Sequence, residues 1–321
     1  MFSSIIDDIK REFSYGNMVT RLIIINIAFF VMLNLIGVSL RIANGWQTPE
    51  VYYTIRNFFL ISSDWFHNLT HPWVIITSMF AHEGFWHILW NMLFLYWFGR
   101  IVGDFIGDHR LLPLYLLGGL VGNLAYFISI NFLAYSGGGE HFALGASAAV
   151  MAIVVASGVL APDYGLRLIL LGEVKLKYIV AALVLLDVFA LGNDLNTGGH
   201  FAHLGGAIMG WIFVRRLQEG DDWSEPVNNV LNRISDFFRG LRSDNKSSRK
   251  RGPRVAYRNP NRGSRRQATG SRRTDTRQQG EQGLSHQERL DAILDKIKDS
   301  GYESLNQEEK EFLFNASNKK E

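Results

Sequence analysis

The sequence predicts an all-α polytopic membrane protein with a cytoplasmic C-terminal tail, and three observations carry that prediction. Six apolar segments occupy the first two thirds of the chain, at 21–40, 85–102, 111–133, 142–160, 178–191 and 201–214. Several reach the roughly 17–25 residues that a helix needs to cross about 30 Å of hydrocarbon, and none alternates with period 2 as a barrel strand does. Beyond residue 217 the chain turns polar and charged, so the 47% hydrophobic content of its 321 residues averages two unlike halves.

The pattern divides the chain into four parts. Residues 1–20 form a cytoplasmic amphipathic segment, with Phe2, Ile5, Ile6, Ile9 and Phe13 at helical spacing. Residues 21–217 hold the six-helix membrane domain, 218–282 a basic disordered linker, and 283–321 a small helical segment. Lys10, Arg11 and Arg21 precede the first span, and Arg100, Arg110, Arg167, Lys175, Lys177, Arg215 and Arg216 fall in alternate loops. The other loops carry fewer, which orients both termini to the cytoplasm; the expected location is the plasma membrane, as a multi-pass protein. The first apolar run lacks a small-residue cleavage site, so no signal peptide is expected.

The 41–77 loop is rich in aromatics, among them Trp46, Tyr52, Tyr53, Phe58, Phe59, Trp65, Phe66 and Trp73, which suit a partly embedded loop at the water–lipid boundary. The third span, 111–133, is loosened by Gly118, Gly119 and Gly122, and 136–139 reads as a flexible outer loop leading towards Ser147. In the tail, fifteen Lys/Arg against three acids between Arg233 and Arg277 predict disorder and contact with anionic lipid rather than nucleic acid. Leu290, Ile293, Leu294 and Ile297 form an apolar stripe, and 304–308 resembles a capped helix start.

Chemistry-bearing residues cluster near one end of the spans. Ser147 lies among Gly145, Ala146, Ala148 and Ala152 at the head of the fourth apolar run. A serine there either acts as a nucleophile or bonds back to its own helix within a small-residue packing face. His87 and Asn91, four apart, share a helix face, while His82 is offset by five from His87. That offset turns the rings apart and does not give the His-Glu-x-x-His stack of a zinc helix, so no metal is expected. In the sixth span Gly199, His203, Gly206 and Gly210 recur at three- and four-residue intervals and line one face for close approach of a small-residue helix. The Ser147 helix fits that role. Asp187 in the fifth span is read as either a structural carboxylate bonded to a neighbouring helix or a functional group. With no cysteine, disulfides, thiolate metal sites and a cysteine nucleophile are excluded.

His82-x4-His87-x3-Asn91, Gly145-Ala-Ser147 and Ala202-His203-Leu-Gly-Gly206, taken in this order with six apolar segments, resemble the rhomboid family of intramembrane serine proteases. Pro72-Trp73 is similar to the family's first-loop motif, whereas Val74, Met151 and Gly103 stand where the family usually has arginine, tyrosine and glutamate. The resemblance implies a six-transmembrane-helix rhomboid bundle and a Ser147–His203 dyad that needs no aspartate. It also implies an oxyanion pocket formed by His87, Asn91 and the Ser147 N–H. His82, Gly145, Met151, Gly199 and Gly206 are the expected supporting residues, around a site that opens to the extracytoplasmic side and uses no cofactor. The implied substrates are membrane-protein segments whose helices unwind locally. The competing reading is a non-catalytic rhomboid-like protein that binds membrane clients.

Overall fold

The computed structural model describes residues 2–133, 139–168, 172–192, 196–242, 286–300 and 302–318. It is mostly helical and divides into two compact units, Met1–Ser247 and Ser248–Glu321.

In the first unit, α1 (Phe2–Tyr15) precedes α2 (Met18–Ala43). The start of α2 is set by Asn17, whose side chain accepts from the Thr20 N–H at 2.9 Å. Few α2 residues are buried, and Ile25, Ile27, Val31, Leu35 and Val38 lie exposed on a helix apolar all round. Among the described residues, Met18–Ala43 and Asp108–Phe132 are the two helices long and apolar enough to cross a membrane; Ser147–Leu160 is a shorter apolar helix.

The aromatic loop contains α3 (Glu50–Asn57), a two-residue strand β1 (Ile61–Ser62), α4 (Trp65–Thr70) and α5 (Val74–Thr77). Trp73 fixes its end by donating an indole N–H to the Phe58 carbonyl at 2.7 Å. Next come α6 (Phe85–Ile106), α7 (Leu111–Phe132), the strand β2 (Phe142–Ala143) and α8 (Ser147–Leu160). β1 and β2 pair antiparallel, with Ile61 opposite Ala143, and so tie the aromatic loop to the segment that delivers Ser147. The fourth apolar segment therefore becomes helical only at Ser147. Gly145 has φ +126°, a conformation closed to helix and open mainly to glycine. Of the expected 136–139 loop, residues 136–138 lie outside the described residues.

A hairpin of β3 (Gly165–Leu168) and β4 (Gly172–Lys175) leads to α9 (Leu176–Ala190), then α10 (Thr197–Gln218) and α11 (Ser224–Arg242). α8 is the centre of the bundle: it packs against α6, α7, α9 and α10, and it is buried from Ala148 to Ser157 except for Met151. α10 lies along both α7 and α8. The glycines expected to loosen the third span do the opposite. A Cβ at Gly118 would crowd Ala149 and Ala152, one at Gly122 would crowd Ala148, and one at Gly119 would run into Met79. They are close-contact positions.

α11 corrects the disordered linker expected at 218–282, from Ser224 as far as Arg242. Val230, Ile234, Phe237 and Phe238 recur at helical spacing along one exposed face, a period that a count of charges does not register. Residues 243–282 of that expectation lie outside the described residues.

The second unit contains α12 (His286–Ser300) and α13 (Gln307–Asn318). Ile293 and Leu305 are buried, while Leu294, expected on the same stripe, is exposed. The helix start is capped at Asn306 rather than Ser304: Asn306 Oδ1 accepts from Glu309 N–H, and Glu309 Oε2 from Asn306 N–H, both at 2.8 Å.

Candidate active site

Ser147 is the first residue of α8, and the chain reaches it through a short, tightly held approach. Gly145 N–H donates to the Ser78 carbonyl at 2.9 Å. Ala146 N–H points to His82 Nε2 at 3.4 Å, and His82 Nδ1 faces the Phe80 carbonyl at 3.2 Å. His82 is fully buried. Burial, with His87 next to it, lowers its pKa to about 4 and keeps the imidazole neutral. The neutral ring donates from one nitrogen and accepts at the other, as its two neighbours require. It braces the loop before Ser147.

His87 and Asn91 come from the first turns of α6. The His87 ring stands edge-on to His82 with centroids 5.0 Å apart. A Cβ placed on Gly145 would lie 2.9 Å from His87 Cε1 and 3.5 Å from Ser147 Oγ, so imidazole and hydroxyl flank this glycine. Asn91 is buried, and its Nδ2 donates to the His87 carbonyl at 2.8 Å, which fixes the amide and leaves it one further N–H.

His203 sits near the start of α10. Gly206 and Gly210 seat that helix closely on α8: a Cβ on either would collide with the backbone of Ala148 or Ala152. Gly199 is different, because its nearest neighbour is the Asn196 side chain rather than α8. Ser147, His203, His87, Asn91, Gly145, Met151 and Gly199 all line one cavity of about 910 Å³, which Trp86, Trp90 and His141 also border. His82 and Gly206 stand outside that lining and support it from behind.

One residue of this site was only half legible beforehand. Asp187 of α9 is buried, and its Oδ1 is 2.8 Å from His203 Nδ1 and 2.7 Å from His200 Nδ1. The resemblance implies a dyad that needs no aspartate, yet a carboxylate touches His203 here. The available signal was an apolar-segment carboxylate followed by two histidines three apart. The donor atoms of Asp187, His200 and His203 lie within 4.8 Å of one another, making them the group of described residues whose spacing could take a metal ion.

Residues 69–218, which include every side chain of this cavity, match the rhomboid domain. The chain belongs to the rhomboid family. Its relatives include Rhomboid protein 1, mitochondrial, of Saccharomyces cerevisiae, 28% identical over 59% of this chain and 57% of that protein. RHOMBOID-like protein 12, mitochondrial, of Arabidopsis thaliana is 30% identical over 59% of each chain. Presenilin-associated rhomboid-like protein A, mitochondrial, of Danio rerio is 31% identical over 53% of this chain and 43% of its own. This rhomboid spans under three fifths of the length of the first two. Residues 278–319 match a family of unknown function, DUF6576.

These names correct the expected plasma-membrane location, since these three relatives are mitochondrial proteins and others are chloroplastic. Loop charges orient a chain across a bilayer; they do not distinguish one bilayer from another.

Proposed function

We propose that this rhomboid is an intramembrane serine endopeptidase acting through Ser147 and His203. The observation that carries the reading is their common cavity, with His87 beside Ser147 and Asn91 on the same wall. α2, α6, α7, α8, α9 and α10 are the six spans of the membrane domain, 21–217, between an amphipathic segment at 1–20 and the tail. At about 1.5 Å per residue the 14 residues of α8 extend only about 21 Å, short of the roughly 30 Å of hydrocarbon. Ser147 at its head is therefore recessed below one membrane surface, where water enters the cavity.

In this mechanism the Ser147 hydroxyl attacks a peptide carbonyl while His203 Nε2 takes its proton. The tetrahedral oxyanion is met by His87, by the free N–H of Asn91 and by the Ser147 backbone N–H. His203 returns the proton to the leaving amine as the C–N bond breaks, and water then hydrolyses the acyl-enzyme by the same route. Met151 and Gly199 shape the cavity wall, Gly145 and His82 set the loop, and Gly206 seats α10 on α8. Substrates are membrane-protein segments whose helices unwind locally, because an extended backbone must be offered to Ser147. The basic run 233–277 attracts anionic lipid headgroups, and the reaction uses no cofactor.

Labelling of detergent-solubilised protein by a fluorophosphonate tests the reading. The wild type should label, and Ser147→Ala and His203→Ala should not. Equal labelling of all three would leave a rhomboid-like binder of membrane clients.

A further inference from the structure

We propose that Asp187 is the positioning residue for His203, completing a Ser147–His203–Asp187 relay whose carboxylate is steadied from its other side by His200. This rests on the Ser147–His203 reading.

Three observations converge on it. Asp187 is 9% exposed at its side chain, on a helix whose mean character is strongly apolar, so an ionised carboxylate there requires strong partners. Its partners are two imidazole nitrogens on one oxygen, His203 Nδ1 at 2.8 Å and His200 Nδ1 at 2.7 Å. The two rings meet edge-on with centroids 5.8 Å apart, so they reach the oxygen from different directions.

The proton count follows from the chemistry of the acceptor. A carboxylate only accepts, so both Nδ1 atoms carry hydrogen; a protonated acid could donate to just one of the two. A neutral His203 with hydrogen on Nδ1 has its lone pair on Nε2, the form needed to take a proton from a serine hydroxyl. When Ser147 gives up that proton, the positive charge created on His203 lies against Asp187, which keeps its own charge throughout. His200, three residues before His203 on α10, occupies the same oxygen and stops the carboxylate from rotating away. Asp187 itself is absent from the cavity lining. It acts through His203 and touches no substrate.

The test uses the full-length protein in nanodiscs, with fluorophosphonate inactivation resolved into kinact and KI and with ¹⁵N spectra of the histidine side chains. Asp187→Asn should lower kinact by about 10²–10⁴-fold with KI unchanged, the scale of a lost tautomer in a serine hydrolase. Asp187→Glu should regain at least about tenfold of it, and His200→Phe should lose less than Asp187→Asn. The wild-type spectrum should show His203 protonated at Nδ1 and bare at Nε2, with the asparagine variant shifted towards the other tautomer. Inactivation of Asp187→Asn at the wild-type rate would overturn the proposal. So would a wild-type His203 bare at Nδ1, a result that needs no variant to fold. Ser147→Ala in the same series separates the two readings: if it labels, the nucleophile is wrong; if it is silent while Asp187→Asn is unimpaired, only the relay is wrong.

Discussion

Nε2 of His82 accepts from the backbone N–H of Ala146, the residue immediately before Ser147, at 3.4 Å. The contact works only for a neutral ring, because an imidazolium has no lone pair for that N–H. Its pKa near 4 is the energetic form of the same statement, the buried ring resisting a proton that the unfolded chain would accept at about 6.5. The folded value is depressed, so between pH 6.5 and 4 the unfolded state binds more protons and stability falls as pH falls. The full contribution, about 3 kcal/mol, is present above 6.5 and is lost by pH 4. Thermal unfolding of the wild type should thus show a midpoint that drops across this window. His82→Phe should be less stable at neutral pH and show a shallower drop; parallel curves for the two proteins would refute this role.

Gly145 predicts a sharp intolerance. At φ +126° an alanine is strained by about 1–3 kcal/mol, and its methyl would also press on the His87 ring at 2.9 Å. Gly145→Ala should fold, since the strain is local, and label with fluorophosphonate at least about tenfold more slowly than the wild type, a deficit of about 1.4 kcal/mol. An unchanged rate would mean that the His87–Ser147 spacing has no bearing on the chemistry.

Much of this site was legible because its members sit at fixed local spacings. His87 and Asn91 share a face at four residues, and Ser147 heads an apolar run behind Gly145. Gly206 and Gly210 mark the face that α10 turns to α8. What was hidden depends on contacts between elements. The Asp187–His203 bond joins two helices and would have required knowing which way each faced. The β1–β2 pair is two residues long on each side, too short for alternation to appear. α11 was misread for a different reason, its amphipathic stripe being masked by the arginines around it.

The α8–α10 contact gives a stability prediction independent of any reaction. A Cβ on Gly206 would meet the backbone at Ala148, which cannot swing aside as a side chain does. Gly206→Val should therefore cost about 1–3 kcal/mol by overpacking and lower the thermal midpoint in detergent. Ile208, exposed on the opposite side of α10, provides the control: Ile208→Val should leave the midpoint nearly unchanged. Equal effects at the two positions would contradict the packing.

Asn91 separates orientation from charge stabilisation. Its amide is held by the His87 carbonyl at 2.8 Å and has one N–H left for the cavity. If that N–H meets the oxyanion, Asn91→Ala should lower kcat by about 10²–10³-fold while leaving KM for a membrane-embedded peptide nearly constant. Asn91→Asp has almost the same shape but would set a carboxylate against a developing negative charge, so its kcat should fall at least as far. Ser147→Ala should abolish turnover. If Asn91→Asp instead turned over as fast as the wild type, the oxyanion would have to be held elsewhere, and His87 with the Ser147 N–H would be the remaining donors.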